Sequence, residues 1–224
     1  MLKTSLATIA LSAVIILWPC NAAAAPDLTV TIGQHSITAS GLVPGGSAVF
    51  FGIAQVPIPH AYMSRIQRWA VIVDIAGHDG TATFDLHENV PRTSVWAVVD
   101  LRNAHYGTVS GPGVRLREIA LDNPLRKGQA LAVNTFSFDH SYLDLLYVHP
   151  GLGAWTWSAL AGVNSDRDDK YGSTVVTLPE AHPLGSFGLQ PSSFVPGGIF
   201  VAVDATRMEI AVVRLDEAMI GGAR

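Results

Sequence analysis

Turn-forming residues cut this chain into short pieces, and their spacing constrains the fold more than any other feature of the sequence. Pro44-Gly45-Gly46, Gly77-His78-Asp79-Gly80, Gly111-Pro112-Gly113, Pro150-Gly151 and Pro196-Gly197-Gly198 are each punctuation of this kind. The segments between them have strand length. Val71-Ile72-Val73 and Val95-Trp96-Ala97-Val98-Val99 are β-branched or aromatic runs suited to buried strands. Residues 81–86 alternate polar with apolar side chains, as a half-buried strand does. Segments 131–138, 143–148, 173–178, 200–203 and 208–213 continue the series. The best helix candidate, residues 61–69, is short. Strands at this spacing, without long amphipathic helices between them, predict an all-β sandwich or barrel.

Three blocks then recur in the same order. Residues 69–77, beginning Trp69-Ala70-Val71, resemble 155–162, beginning Trp155-Thr156-Trp157. Residues 80–86 resemble 172–178, and 95–100, ending in Asp100, resemble 199–204, ending in Asp204. Loop-sized insertions account for the unequal intervals. The pattern predicts two copies of one β unit of about 90 residues each. Two tandem β-sandwich domains, 26–112 and 130–224, are the first expectation, and one fused sandwich with a shared core is the second. The linker between them, 113–129, collects Arg115, Arg117, Arg126 and Lys127 around Asp122-Asn123-Pro124. Such a charged, Pro-containing stretch reads as a solvated connector.

Residues 1–25 carry the three-part export pattern: Lys3, then an uncharged stretch from 6 to 18, then Ala22 to Ala25 as a cleavage region. The apolar run is too short to span a bilayer, and nothing after it is long enough. Cys20 is the sole cysteine, and Pro19 before it is a poor lipidation context. Beyond the leader there is therefore no disulfide, and stability must come from the core. An exported chain without disulfides points to a bacterial periplasm, cell surface or medium. Charged residues make up 14% and apolar ones 49%, which fits a well-filled core and excludes disorder. Without the leader, 13 basic residues face 18 acidic ones, a net of −5, so no basic stripe is available for nucleic acid. Uneven strands that are apolar on both faces argue against a small outer-membrane barrel.

One short motif resembles a known family. Phe194-Val195-Pro196-Gly197-Gly198-Ile199-Phe200 is similar to the turn that enters a central strand in fibronectin type III and related immunoglobulin-like modules. Leu42-Val43-Pro44-Gly45 shares its first half. Phe200 stands where such modules usually carry Tyr, so their corner hydrogen bond cannot come from this position. The resemblance implies a spacer, adhesion or binding module rather than an enzyme.

Three constellations could carry chemistry. Trp155 and Trp157 lie two apart, so in a strand both indoles face one way and could stack on a sugar ring or fill a core. Asn164, Asp166 and Asp168 offer oxygen ligands at alternate positions, for which calcium would be the cation. Asp169 replaces the turn glycine of the usual calcium loop, and no closing Glu follows. Asp139, His140 and Asp144 would serve a secreted hydrolase only if they converged in space, and the chain has no Gly-x-Ser-x-Gly elbow. The eight histidines show no metal-binding spacing. The expectation is an exported, non-catalytic binding or spacer protein without a cofactor, its ligand a protein or a carbohydrate. A carbohydrate-binding module, a hydrolase and a calcium-stabilised adhesion module are the alternatives.

Overall fold

The computed structural model describes residues 27–59, 64–75, 78–114, 130–135, 141–163, 172–177, 182–184 and 194–217. They form fourteen strands: β1 (Thr29–Ile32), β2 (Ser36–Ser40), β3 (Ser47–Pro57), β4 (Ser64–Asp74), β5 (Thr81–Asp85), β6 (Ser94–Asp100), β7 (Tyr106–Ser110), β8 (Ala130–Thr135), β9 (Ser141–His149), β10 (Gly153–Val163), β11 (Gly172–Thr177), β12 (His182–Pro183), β13 (Ile199–Asp204) and β14 (Glu209–Arg214). The all-β expectation is met. The short helix is not: residues 64–69 open β4, because their apolar side chains alternate between two covered faces.

In the first half, β1-β2-β5 make one antiparallel sheet and β4-β3-β6-β7 another. Ile37, Ala39 and Ala82 from the first sheet meet Ala48, Phe50, Trp96 and Val98 from the second, a sandwich with its own core. β2 alternates as a one-faced strand should, with Ile37 and Ala39 buried between partly exposed Ser36, Thr38 and Ser40. In the second half the order is β14-β13-β9-β10-β11-β8, with β12 paired to β10. The run β10-β9-β13-β14 thus repeats the order β4-β3-β6-β7. The registers agree as well: Gly52 on β3 faces Trp69 and Trp96, and Tyr147 on β9 faces Trp155 and Phe200.

The two four-strand runs turn apolar faces toward each other. Val49, Phe51, Ile53, Val95, Ala97 and Val99 pack with Leu146, Val148, Ile199, Val201, Val203 and Ile210 in one cluster. The sheet of β3 and β6 is therefore covered on both sides, which is why β6 is buried at all seven positions and reads as a continuous apolar run. Among the described residues the halves share a core beside the one inside the first half. Residues 115–129 of the expected linker lie outside the described residues.

Polar contacts stitch the rim of this core. The Gln55 side chain donates to the carbonyls of Ala205 (3.1 Å) and Thr206 (2.8 Å), in the β13–β14 turn. Gly151, in the β9–β10 turn, donates its N–H to Leu101 in the β6–β7 turn (2.7 Å). Arg68 Nε on β4 bonds Asp144 Oδ1 on β9 (2.7 Å), and Arg214 reaches Asp27 (2.8 Å).

Two pairs of turns are built alike. Val43 to Gly46 and Val195 to Gly198 each close a four-residue turn, with N–H to carbonyl distances of 3.2 and 3.1 Å. Pro sits second, and Gly45 and Gly197 supply the positive φ (66° and 82°) that this turn type needs. The β6–β7 and β13–β14 hairpins start at buried Asp100 and Asp204, whose carboxylates accept backbone N–H bonds from Arg102 and from Thr206. Each ends on a non-glycine left-handed residue, Ala104 (φ 55°) and Met208 (φ 59°), whose N–H returns to the Asp carbonyl.

Residues 26–114 expressed alone would expose the β3–β6 face. That fragment is expected to self-associate or precipitate, as large apolar patches do. Light scattering after size-exclusion chromatography reads this directly. A stable monomeric fragment would show that the shared core is dispensable.

Candidate functional site

Trp155 does not lie on an open face. It is fully buried, stacked on Tyr147 with centroids 6.0 Å apart, and Tyr147 in turn meets Phe194 edge-on at 4.9 Å. The expected sugar platform of Trp155 with Trp157 is corrected on this point: Trp155 fills the second half's core. The side chain of Trp157 lies outside the described residues, as do Asn164, Asp166 and Asp168, and Asp139 and His140. Asp144 is described and buried. Its Oδ1 accepts bonds from Arg68 and from Ser158 (2.6 Å), and the Arg68 bond anchors one half to the other. Among the described residues no group of three or more His, Cys, Asp or Glu side chains could hold a metal. No helix among them is long and apolar enough to cross a membrane.

A tyrosine hydroxyl holds the turn before β13. Tyr147, paired with Phe200 across β9 and β13, accepts the N–H of Val195 on its hydroxyl at 3.0 Å. The tie reaches the Val-Pro-Gly-Gly turn from the adjacent strand. Burial pushes the Tyr147 phenol up to about 12 from its ordinary 10.0, only partly countered by the Val195 bond.

The candidate binding site lies in the first half. A groove of about 380 Å³ opens between β4 and β5 and is walled by residues 84–91. Gln67 and Trp69 line it from β4, and Phe84 and Asp85 from the end of β5. Trp69 points this way because odd-numbered residues of β4 face the three-stranded sheet, while Ile66, Ala70 and Ile72 face the shared core. Its ring is half-buried and stacks on Trp96 at 5.0 Å and 29°. Trp96 is itself fixed. It lies against Gly52, where a Cβ would come within 2.3 Å of the ring, and its Nε1 donates to Ser94 Oγ (3.1 Å). The wall is held too, by N–H bonds from Leu86 to His35 (2.6 Å) and from Val90 to Gln34 (2.9 Å). The result is a rigid aromatic floor with exposed Asp85, His87, Glu88 and Asn89 around it.

The sequence contained a signal for this site. Trp69 matches Trp155 in the repeat, and the one beside the shorter loop stays open. Of the two readings open for Trp155 from sequence, sugar platform or core filling, the structure gives core filling.

No family model matches the chain. No curated protein matches it either. A solved structure from work on neurohormone perception by the receptor tyrosine kinase Torso aligns over 87% of this chain and 75% of that one, at 7% identity and a TM-score of 0.23. At that level the likeness carries no conclusion.

Tyr147 gives a pH test. Its raised folded value favours the neutral phenol, so the stability it contributes is complete below pH 10 and is lost as pH rises from 10.0 toward about 12. Unfolding free energy measured by denaturant titration should fall through that window. Tyr147→Phe should flatten the fall and cost about 0.5–1.5 kcal/mol at neutral pH for the lost Val195 bond. An unchanged slope in the variant would assign the alkaline loss to other groups.

Proposed function

We propose that this chain is an exported, non-catalytic binding protein made of two copies of one β unit, and that its ligand sits in the groove over Trp69. One observation carries the reading. Trp69 and Trp155 hold the same register position in their sheets, yet Trp155 is sealed and Trp69 lines an open, rigid groove. The two equivalent tryptophans thus differ in exposure, and Trp69 is the one whose ring a ligand can reach. The leader at residues 1–25 supports export, to a bacterial periplasm, cell surface or medium. The recurring sequence blocks, the common sheet order and the two Asp-capped hairpins support duplication.

A sugar is the second reading of the ligand, favoured by the carboxylates of Asp85 and Glu88 beside an indole face. Calcium at Asn164, Asp166 and Asp168 and hydrolysis through Asp139, His140 and Asp144 rank below it. Asp144 is buried with its Oδ1 engaged by Arg68 and Ser158, which suits an anchor better than a base that must reach a substrate.

Thermal melts of residues 25–224 with peptides, soluble glycans, calcium and chelator test the proposal. A ligand of the folded state stabilises it by about 2.7 kcal/mol at a hundredfold excess over Kd. The expected shift is lost on Trp69→Ala, with no turnover of ester, peptide or glycoside substrates. Turnover abolished by Asp144→Asn would make the protein an enzyme. A calcium shift abolished by Asp166→Ala with Asp168→Ala would move the site to that loop.

A further inference from the structure

We propose that the outer edge of β4 is a strand-acceptor site, which binds an extended, proline-containing and basic peptide segment of a partner protein beside Trp69. This rests on the groove being the ligand site and names the class of its ligand. The argument comes from comparing equivalent edges. In the second half, the outer edge of β10 is occupied. β12 pairs there, Pro183 opposite Trp155 and His182 opposite Thr156, and Leu184 donates its N–H to Ala154 at 2.9 Å. The matching residues of β4 are Trp69 and Ala70, and among the described residues no strand lies on their outer side. β5, across the groove, is likewise the last strand of its sheet.

The difference follows from loop length. The chain joins β5 to β6 through residues 86–93, but β11 to β13 through 178–198. Only the longer connection can lay a segment along its own edge. The second half therefore displays, within one chain, the kind of segment this edge accepts: short, extended and containing proline, which an edge strand tolerates because one side of it needs no N–H. Among the described residues the first half offers the same edge without a strand on it.

Charge narrows the occupant. Asp85 and Glu88 stand on the rim, and among the described residues no Lys or Arg lines the groove. An apolar side chain of the incoming strand would rest on Trp69 and Phe84, while a neighbouring Lys or Arg meets the two carboxylates. Main-chain bonds to β4 would give affinity, and the groove would give selectivity. A sugar would use the groove but leave the β4 backbone untouched, which separates the two ligands experimentally.

The test is selection of a displayed random-peptide library on the full chain, with Trp69→Ala as counter-selection, followed by amide hydrogen exchange. Enriched peptides should contain Pro with Lys or Arg and slow exchange within residues 64–74. Binding should weaken about thirtyfold on Trp69→Ala, the loss typical of a buried anchor. N-methylation along one edge of the peptide, and not the other, should also abolish protection. If Trp69→Ala does not fold, Asp85→Asn with Glu88→Gln, at exposed positions, should still weaken binding about threefold. Peptides that bind without slowing exchange in β4 overturn strand addition. So does the absence of enriched peptides where an arrayed glycan binds in a Trp69-dependent way, although the binding-protein reading then survives. If neither peptides nor glycans depend on Trp69, both readings fall.

Discussion

The packing of β3 and β6 against β9 and β13 is the constraint from which the rest of the architecture follows. A sheet covered on both faces has no solvent side, so its strands cannot alternate, and Val95 to Val99 are buried without exception. Each fully buried Val, Ile or Phe contributes roughly 1.5–3 kcal/mol relative to exposure. With a single cysteine the chain can form no internal disulfide, and this aliphatic layer is where a chain of this size finds its stability. The layer also sorts side chains by shape. Val, Ile, Leu and Ala dominate between the two central sheets, where flat faces interdigitate. The large rings Trp96, Phe50, Trp155 and Phe200 go to the outer cores, under smaller sheets and loops.

That sorting decides where an opening can occur. At one register position the first half has Gly52 between Trp69 and Trp96, and the second has Tyr147 between Trp155 and Phe200. Gly52 leaves room for Trp96 to lie flat across β3, and Trp69 then stacks outside it, at the sheet edge. In the other half Tyr147 occupies the middle, its hydroxyl ties down the turn before β13, and Trp155 lies inside the seal. The same scaffold with one slot filled differently gives a closed core in one half and an aromatic groove in the other.

Much of this was legible in the sequence, and the misses have physical causes. Strand type and the Val-Pro-Gly-Gly turns could be read because propensity, turn chemistry and pattern agree there. The β6–β7 and β13–β14 hairpins carry no Gly or Pro, and their signal was the terminal Asp, whose carboxylate replaces what a glycine turn would do. Residues 64–69 looked helical because an edge strand with both faces half-covered mixes apolar and charged residues without strict alternation. The choice between platform and core for Trp155 stayed open in the sequence for another reason. Periodicity gives the face a side chain takes, but a distant segment such as β12 decides whether that face is covered.

An eleven-residue edge strand left open would ordinarily invite its own copies to pair with it. β4 counters this with charge. Ser64, Arg65 and Arg68 are exposed at its start and Asp74 at its end, and Arg68 is held in place by buried Asp144 of the other half. Two copies of β4 paired antiparallel about Arg65, or about Arg68, would set identical charges directly opposite each other, which is destabilising. The same arginines stand outside the groove, whose rim is acidic, so an incoming strand meets opposite charge only beside Trp69. The edge is thus protected against pairing with itself by residues that leave the aromatic floor accessible, and the Arg68–Asp144 contact makes that protection depend on the two halves remaining joined.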